Sequence, residues 1–142
     1  MRHCLVVAHQ TVDSPRLEDA MLEELSREAC TFHLVVPILN HGDGLTWTEF
    51  QVRATAQERL NQALSNFRLS GYAIDGEIGG PSPVESVDEV VRRDGPDAYD
   101  VILVSTLPHA ISRWLKIDAP RRIARRTGVP VRHVEAPDRV LR

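Results

Sequence analysis

The sequence predicts one α/β domain, spanning residues 1–142, built on an open, doubly wound, five-stranded parallel sheet with helices on both faces. Three observations carry this. Five short apolar runs alternate with segments of helical periodicity, an order that implies parallel strands joined by right-handed crossovers. The fourth run, Tyr99–Thr106 (YDVILVST), is almost continuously apolar, as a central strand covered on both faces must be. The intervening segments carry helix start and stop signals in the right places.

Taken in order, His3–Ala8 (HCLVVA) reads as the first strand. Ser14-Pro15 offers an N-cap with proline at the first helical position, followed by an apolar stripe of Leu17, Met21, Leu22, Leu25 and Ala29. Thr31–Pro37 is the second strand, and Ile38–Leu45 (ILNHGDGL) is the main irregular loop. Thr46-x-x-Glu49 reads as a capping box. It opens a long helix whose inner face is Ala56, Leu60, Ala63, Leu64 and Phe67, with Gly71 closing it in a left-handed conformation. Tyr72–Ile78 alternates as a third strand. Ser82-Pro83-Val84-Glu85 starts a helix that turns Val84, Val87, Val90 and Val91 inward. After the fourth strand, a short helix around Trp114 and a last helix from Asp118 to Thr127, ended by Gly128, lead to Val129–Val134, which Pro130 confines to a sheet edge or a strand start.

Composition sets the class. Hydrophobic residues at 42% and charged residues at 26% describe a globular chain rather than a disordered one. No apolar run approaches the roughly 20 residues of a membrane span, and the N-terminus lacks a signal-peptide core, so a cytoplasmic protein is expected. Cys4 and Cys30 show no CxxC spacing and read as buried, inert thiols. The net charge of −3 is unevenly spread: residues 1–104 hold eight arginines against 17 acidic residues, and residues 105–142 hold nine Lys/Arg against three. A basic terminal segment attracts anions, or else solvates a helix face. Aromatic residues total only 5%, too few for the stacking platforms of a nucleic-acid binder.

Ligands of open parallel sheets bind outside the carboxyl ends of the strands, where strand order reverses. The candidates there are His9, Gln10, Thr11 and Asp13; Asn40, His41 and Asp43; Gly79 and Gly80; and Ser105, Thr106, His109 and Ser112. There is no GxSxG elbow, no GxxxxGK[ST] loop, no GxGxxG fingerprint and no HxGH signature. The carboxylates of Glu23, Glu24, Glu28, Asp88 and Glu89 fall on helix faces and read as solvated. The reading is therefore non-enzymatic. His9, His41 and His109, with Asp13 and Asp43, form the one constellation on which a metal-dependent enzyme could rest, but their spacing matches no metal motif and no metal is expected.

The five-strand order, the strand YDVILVST and the closing GVPVRHV resemble the universal stress proteins, whose fold is Rossmann-like. The resemblance covers nearly the whole chain as a pattern. It implies a stress-response domain and a homodimer formed through the last strand, near Val131, Arg132 and His133. In ATP-binding members the fourth strand is followed by Gly-x-x-Gly and, about nine residues on, by Gly-Ser or Gly-Thr, because glycine lets backbone amides approach phosphate. Here Ser105-Thr106-Leu107-Pro108 stands in place of the first pair and Ile117-Asp118 in place of the third glycine. What the chain offers instead is STLPHAISRWLKIDAPRRIARR. A remodelled site for ATP, AMP or another small anion would use Gln10, Ser105, Thr106, Ser112 and Arg113, with hydroxyls on phosphate oxygens and arginine supplying charge. The alternative is a ligand-free dimeric interaction module, its pocket closed by Leu107, Pro108 and Trp114. Arg125 and Arg126 read as solvated.

Overall fold

The computed structural model describes residues 1–38 and 48–137. The elements run β1 (Arg2–Val7), α1 (Pro15–Arg27), β2 (Cys30–Val36), α2 (Glu49–Leu69), β3 (Ile74–Ile78), α3 (Pro83–Asp94), β4 (Val101–Thr106), α4 (Arg113–Lys116), α5 (Ala119–Thr127) and β5 (Val131–Glu135). All strand pairs are parallel and the order is β3-β2-β1-β4-β5. The doubly wound sheet predicted by the alternation of strand and helix is therefore present, with β3 and β5 at its edges.

Side-chain alternation along the strands divides the core into two layers. Cys4 and Val6 of β1, Phe32, Leu34 and Val36 of β2 and Leu103 of β4 pack beneath α1 and α2. Leu5 and Val7, Val35, and Ile102 and Val104 point the other way and pack beneath α3 and α5. Both faces of the central strands are covered, which is why their sequences run apolar without interruption.

Helix punctuation follows local chemistry. Ser14 Oγ accepts from the Arg16 amide at 3.2 Å, with Pro15 in the first turn. Ser82 Oγ accepts from the Glu85 amide, with Pro83 next to it. Gly128 ends α5 at φ +72° and Gly71 follows α2 at φ +95°, where a Cβ would be strained. The stripe predicted for α2 is buried in full.

Four expectations need correction. The capping box of α2 is Thr48 with Gln51, not Thr46 with Glu49: Thr48 Oγ1 accepts from the Gln51 amide and the Gln51 side chain accepts from the Thr48 amide. Glutamine serves this role as well as glutamate, so two registers competed in the sequence; Thr46 itself lies outside the described residues. In α1, Leu22 is exposed, whereas Ala20 and Glu24 turn inward; Ala29 lies beyond the end of the helix and is exposed. Glu24 and Asp88 are buried, not solvated, because each has two arginine partners. Glu24 takes Arg2 at 2.9 Å and Arg132 at 3.4 Å; Asp88 takes Arg92 and, at 2.8 Å, Arg126. Arg126 is accordingly a clamp between α5 and α3 rather than a solvated charge. Burial opposes ionisation of Asp88, but the hydrogen bonds from Arg126 and Arg92 outweigh it and hold the carboxyl below its usual range.

Candidate functional site

In the sheet order, β1 lies centrally, the chain winding outward to β2 and β3 on one side and β4 and β5 on the other. The carboxyl ends of β1 and β4 therefore form the switch point of the sheet, the place where open parallel sheets bind their ligands. Its floor is built by the last residues of these strands. Ala8 and His9 are buried at the end of β1, and Ser105 and Thr106 at the end of β4.

Hydroxyl groups knit this floor together. Thr11 Oγ1 and Ser105 Oγ lie 2.5 Å apart, joining the loop after β1 to β4. Thr106 Oγ1 donates to the Leu107 carbonyl at 3.0 Å and sits 2.8 Å from His133 Nε2. A hydroxyl has one proton to donate, so the His133 ring must donate through Nε2. Burial lowers the His133 pKa and so favours the neutral ring. The loop after β4 turns at Pro108, whose carbonyl accepts from the amides of Ile111 and Ser112, both at 3.0 Å. Glu135 of β5 holds that turn by accepting from the His109 amide at 2.6 Å. Ser112 then caps α4, its Oγ accepting from the Leu115 amide at 3.1 Å.

The residues predicted to meet a ligand fall into two groups. Gln10, on the loop after β1, and Arg113, the first residue of α4, are exposed. Ser105, Thr106 and Ser112 are exposed by only 1%, 2% and 2%, each with an internal partner. All five thus lie at or after the carboxyl ends of β1 and β4, the three hydroxyls buried and the other two exposed. Gly79 and Gly80 serve packing: a Cβ on Gly79 would come within 2.5 Å of Ser86 Oγ, and the Gly80 amide donates to the same oxygen at 3.0 Å.

His9 is buried and His109 exposed; Asn40, His41 and Asp43 lie outside the described residues. Among the described residues no group of three or more His, Cys, Asp or Glu side chains could hold a metal ion. No helix among them is long and apolar enough to cross a membrane. From β5, His133 bonds Thr106 and Glu135 bonds the His109 amide; the sequence places His133 in the last strand and near the implied dimer seam, and ends that strand at Val134, one residue short of Glu135. Their signal lies in register: Thr106 pairs with Glu135 and Ser105 with Val134, so the strand end GVPVRHV must abut the loop after β4.

No family model matches the chain, and no curated protein does. Solved structures do match. A universal stress protein family protein from Arabidopsis thaliana with AMP bound shares 12% identity at a TM-score of 0.65, over 96% of this chain and 93% of that one. The universal stress protein from Archaeoglobus fulgidus in complex with dAMP shares 16% at 0.60, over 94% and 97%. A member of the same family from Burkholderia pseudomallei shares 18% at 0.61, over 93% and 94%. At such identities the likeness is one of architecture, and together with the sheet order it shows that this chain has the universal-stress-protein fold.

Proposed function

We propose that this chain is a non-enzymatic, stress-response-type domain of the cytoplasm that takes an adenine nucleotide or similar small anion at the ends of β1 and β4, and forms a homodimer through β5. The observation that carries the reading is the strand order, which sets the carboxyl ends of β1 and β4 at the switch point, in a fold whose solved examples include one with AMP bound and one in complex with dAMP. In the absence of the glycine motif, donors for a phosphate must come from side chains. Of the two protons in the Thr11–Ser105 pair, one is used between them and one remains. Ser112 accepts as a cap and keeps its own proton; Arg113, one residue on, supplies charge. Thr106 has given its proton to Leu107 and shapes the floor instead. Gln10 on the rim hydrogen-bonds base or ribose.

The test is a thermal titration of the purified protein with AMP, ATP and guanine nucleotides, since a ligand of the folded state raises the midpoint by mass action. A saturable rise is expected, weakened about tenfold to a hundredfold by Arg113→Ala, as for a lost charged hydrogen bond. Light scattering follows the dimer, which Val131→Lys on the β5 edge should split. A second reading is favoured by one observation: Ser105, Thr106 and Ser112 are all buried and internally bonded, as in a site closed for good. Under it the protein is an interaction module, and an intact dimer with no nucleotide response is the result that selects it.

A further inference from the structure

A concavity lies between α1 and α2, reached by the loop after β1. Arg59, Gln62, Ala63, Asn66, Phe67 and Ser70 form one stripe of α2 at helical spacing, facing Val12–Ser14 and Glu18 across a cavity of about 300 Å³. This is the lower end of the roughly 300–1,000 Å³ that small-molecule sites span. Val12, Ala63 and Phe67 give it an apolar floor.

Its charges do not neutralise one another. Arg59 Nε is buried with no hydrogen-bond partner, and Arg59 makes no ion pair among the described residues although Asp13 and Glu18 line the same cavity. A buried guanidinium nitrogen without a partner costs free energy that a bound acceptor would recover. Glu18 accepts from Tyr72 Oη at 3.2 Å. Burial, then the Glu18 charge beside it, pushes the Tyr72 pKa up to about 12, so the phenol stays a neutral donor.

We propose that this groove binds a small zwitterion of the α-amino-acid class, its carboxylate on Arg59, its ammonium between Asp13 and Glu18, and its side chain over Phe67. A planar guanidinium fork suits a carboxylate. A phosphate dianion would be repelled by the two acids, and a simple cation by Arg59; only a ligand carrying both signs meets every charge. The Gln62 and Asn66 amides, joined by a weak 3.4 Å bond, can reorient toward it. This site does not rest on the nucleotide reading.

The experiment titrates the full chain with L-alanine, L-leucine and L-glutamine to about 10 mM, following thermal midpoint and heat of binding, with acetate and methylammonium as the two half-ligands. At least one amino acid should give a saturable response that neither half reproduces. Arg59→Met and Asp13→Asn should each weaken it tenfold or more, while Arg113→Ala leaves it unchanged. Asp13 is exposed, so its variant tests the site even if Arg59→Met perturbs folding. No response to any amino acid, or a response that survives Asp13→Asn undiminished, overturns the proposal.

Discussion

Replacing Glu24 by glutamine keeps its volume and removes its charge at a point where three elements meet. The carboxylate belongs to α1 and is only 2% exposed; Arg2 reaches it from β1 at 2.9 Å and Arg132 from β5 at 3.4 Å. A charged hydrogen bond contributes about 1.5–3 kcal/mol, and breaking a buried pair costs about 3–5 kcal/mol when the stranded charge stays dry. Here the loss is partly compensated: the two guanidinium side chains are 26% and 33% exposed, Arg132 keeps its pair with Glu23, and its contact with Glu24 is long. Water should therefore recover part of the loss, and we expect Glu24→Gln to destabilise by about 2–3 kcal/mol. For a chain of this size that lowers the thermal midpoint by about 6–12 °C. Urea unfolding followed by circular dichroism measures it directly. A cycle with Arg132→Met should show coupling of about 0.5–3 kcal/mol. A variant within about 0.5 kcal/mol of the parent would refute the reasoning, since that is the range of an ordinary surface change.

Two further outcomes follow from the same coordinates. Gly76→Ala places a Cβ 2.5 Å from the Leu34 carbonyl oxygen and 2.8 Å from Leu60 Cδ1, so β3 must shift against β2 and α2; a loss of about 1–3 kcal/mol or more is expected, and an unchanged unfolding midpoint would contradict it. Asp88 has its folded-state pKa held below the unfolded value near 3.8, so it binds fewer protons folded than unfolded. Its stabilising contribution is complete above that unfolded value and is lost as pH falls through the folded one, and Asp88→Asn should flatten the acid limb of a stability profile taken from about pH 5 downward; identical limbs would count against it.

Most of the framework was legible because it rests on short-range rules. The inward positions of α2 and α3 follow from helical periodicity alone, and the end of α5 from Gly128. The differences at Glu24, Asp88 and Arg126 share one cause. A glutamate at an inward helical position looks like an error of phase until Arg2 and Arg132, 22 and 108 residues away, are seen to meet it. Hydrophobicity alone sets Leu22 inward, because leucine outranks glutamate, yet it is Glu24 that turns in. Periodicity reports which face is inside; it does not report a buried ion pair, whose partner is fixed only by tertiary pairing. The candidate site divides likewise. Switch-point logic located Ser105, Thr106 and Ser112, but Thr11, His133 and Leu115 as their partners depend on strand register and on a cap. Arg59, beside the inner stripe of α2, carries no signal in the sequence; only the fold sets its side chain at the cavity.

The charge asymmetry of the chain finds much of its meaning within the fold. The acidic first two-thirds and the basic last third meet across α1–β5 and α3–α5: Arg132 binds Glu23 and Glu24, and Arg126 binds Asp88 with Glu85 at 3.9 Å. Pairs between exposed partners contribute little, about 0–1 kcal/mol, so the pairs that matter are those whose acid is buried. Those are contacts that β5 and α5 make only when docked in register, and they tie the last third of the chain to the first. Lys116, Arg122 and Arg125 are left without an ion pair among the described residues. A basic C-terminal segment is thus first the counter-charge of its own chain.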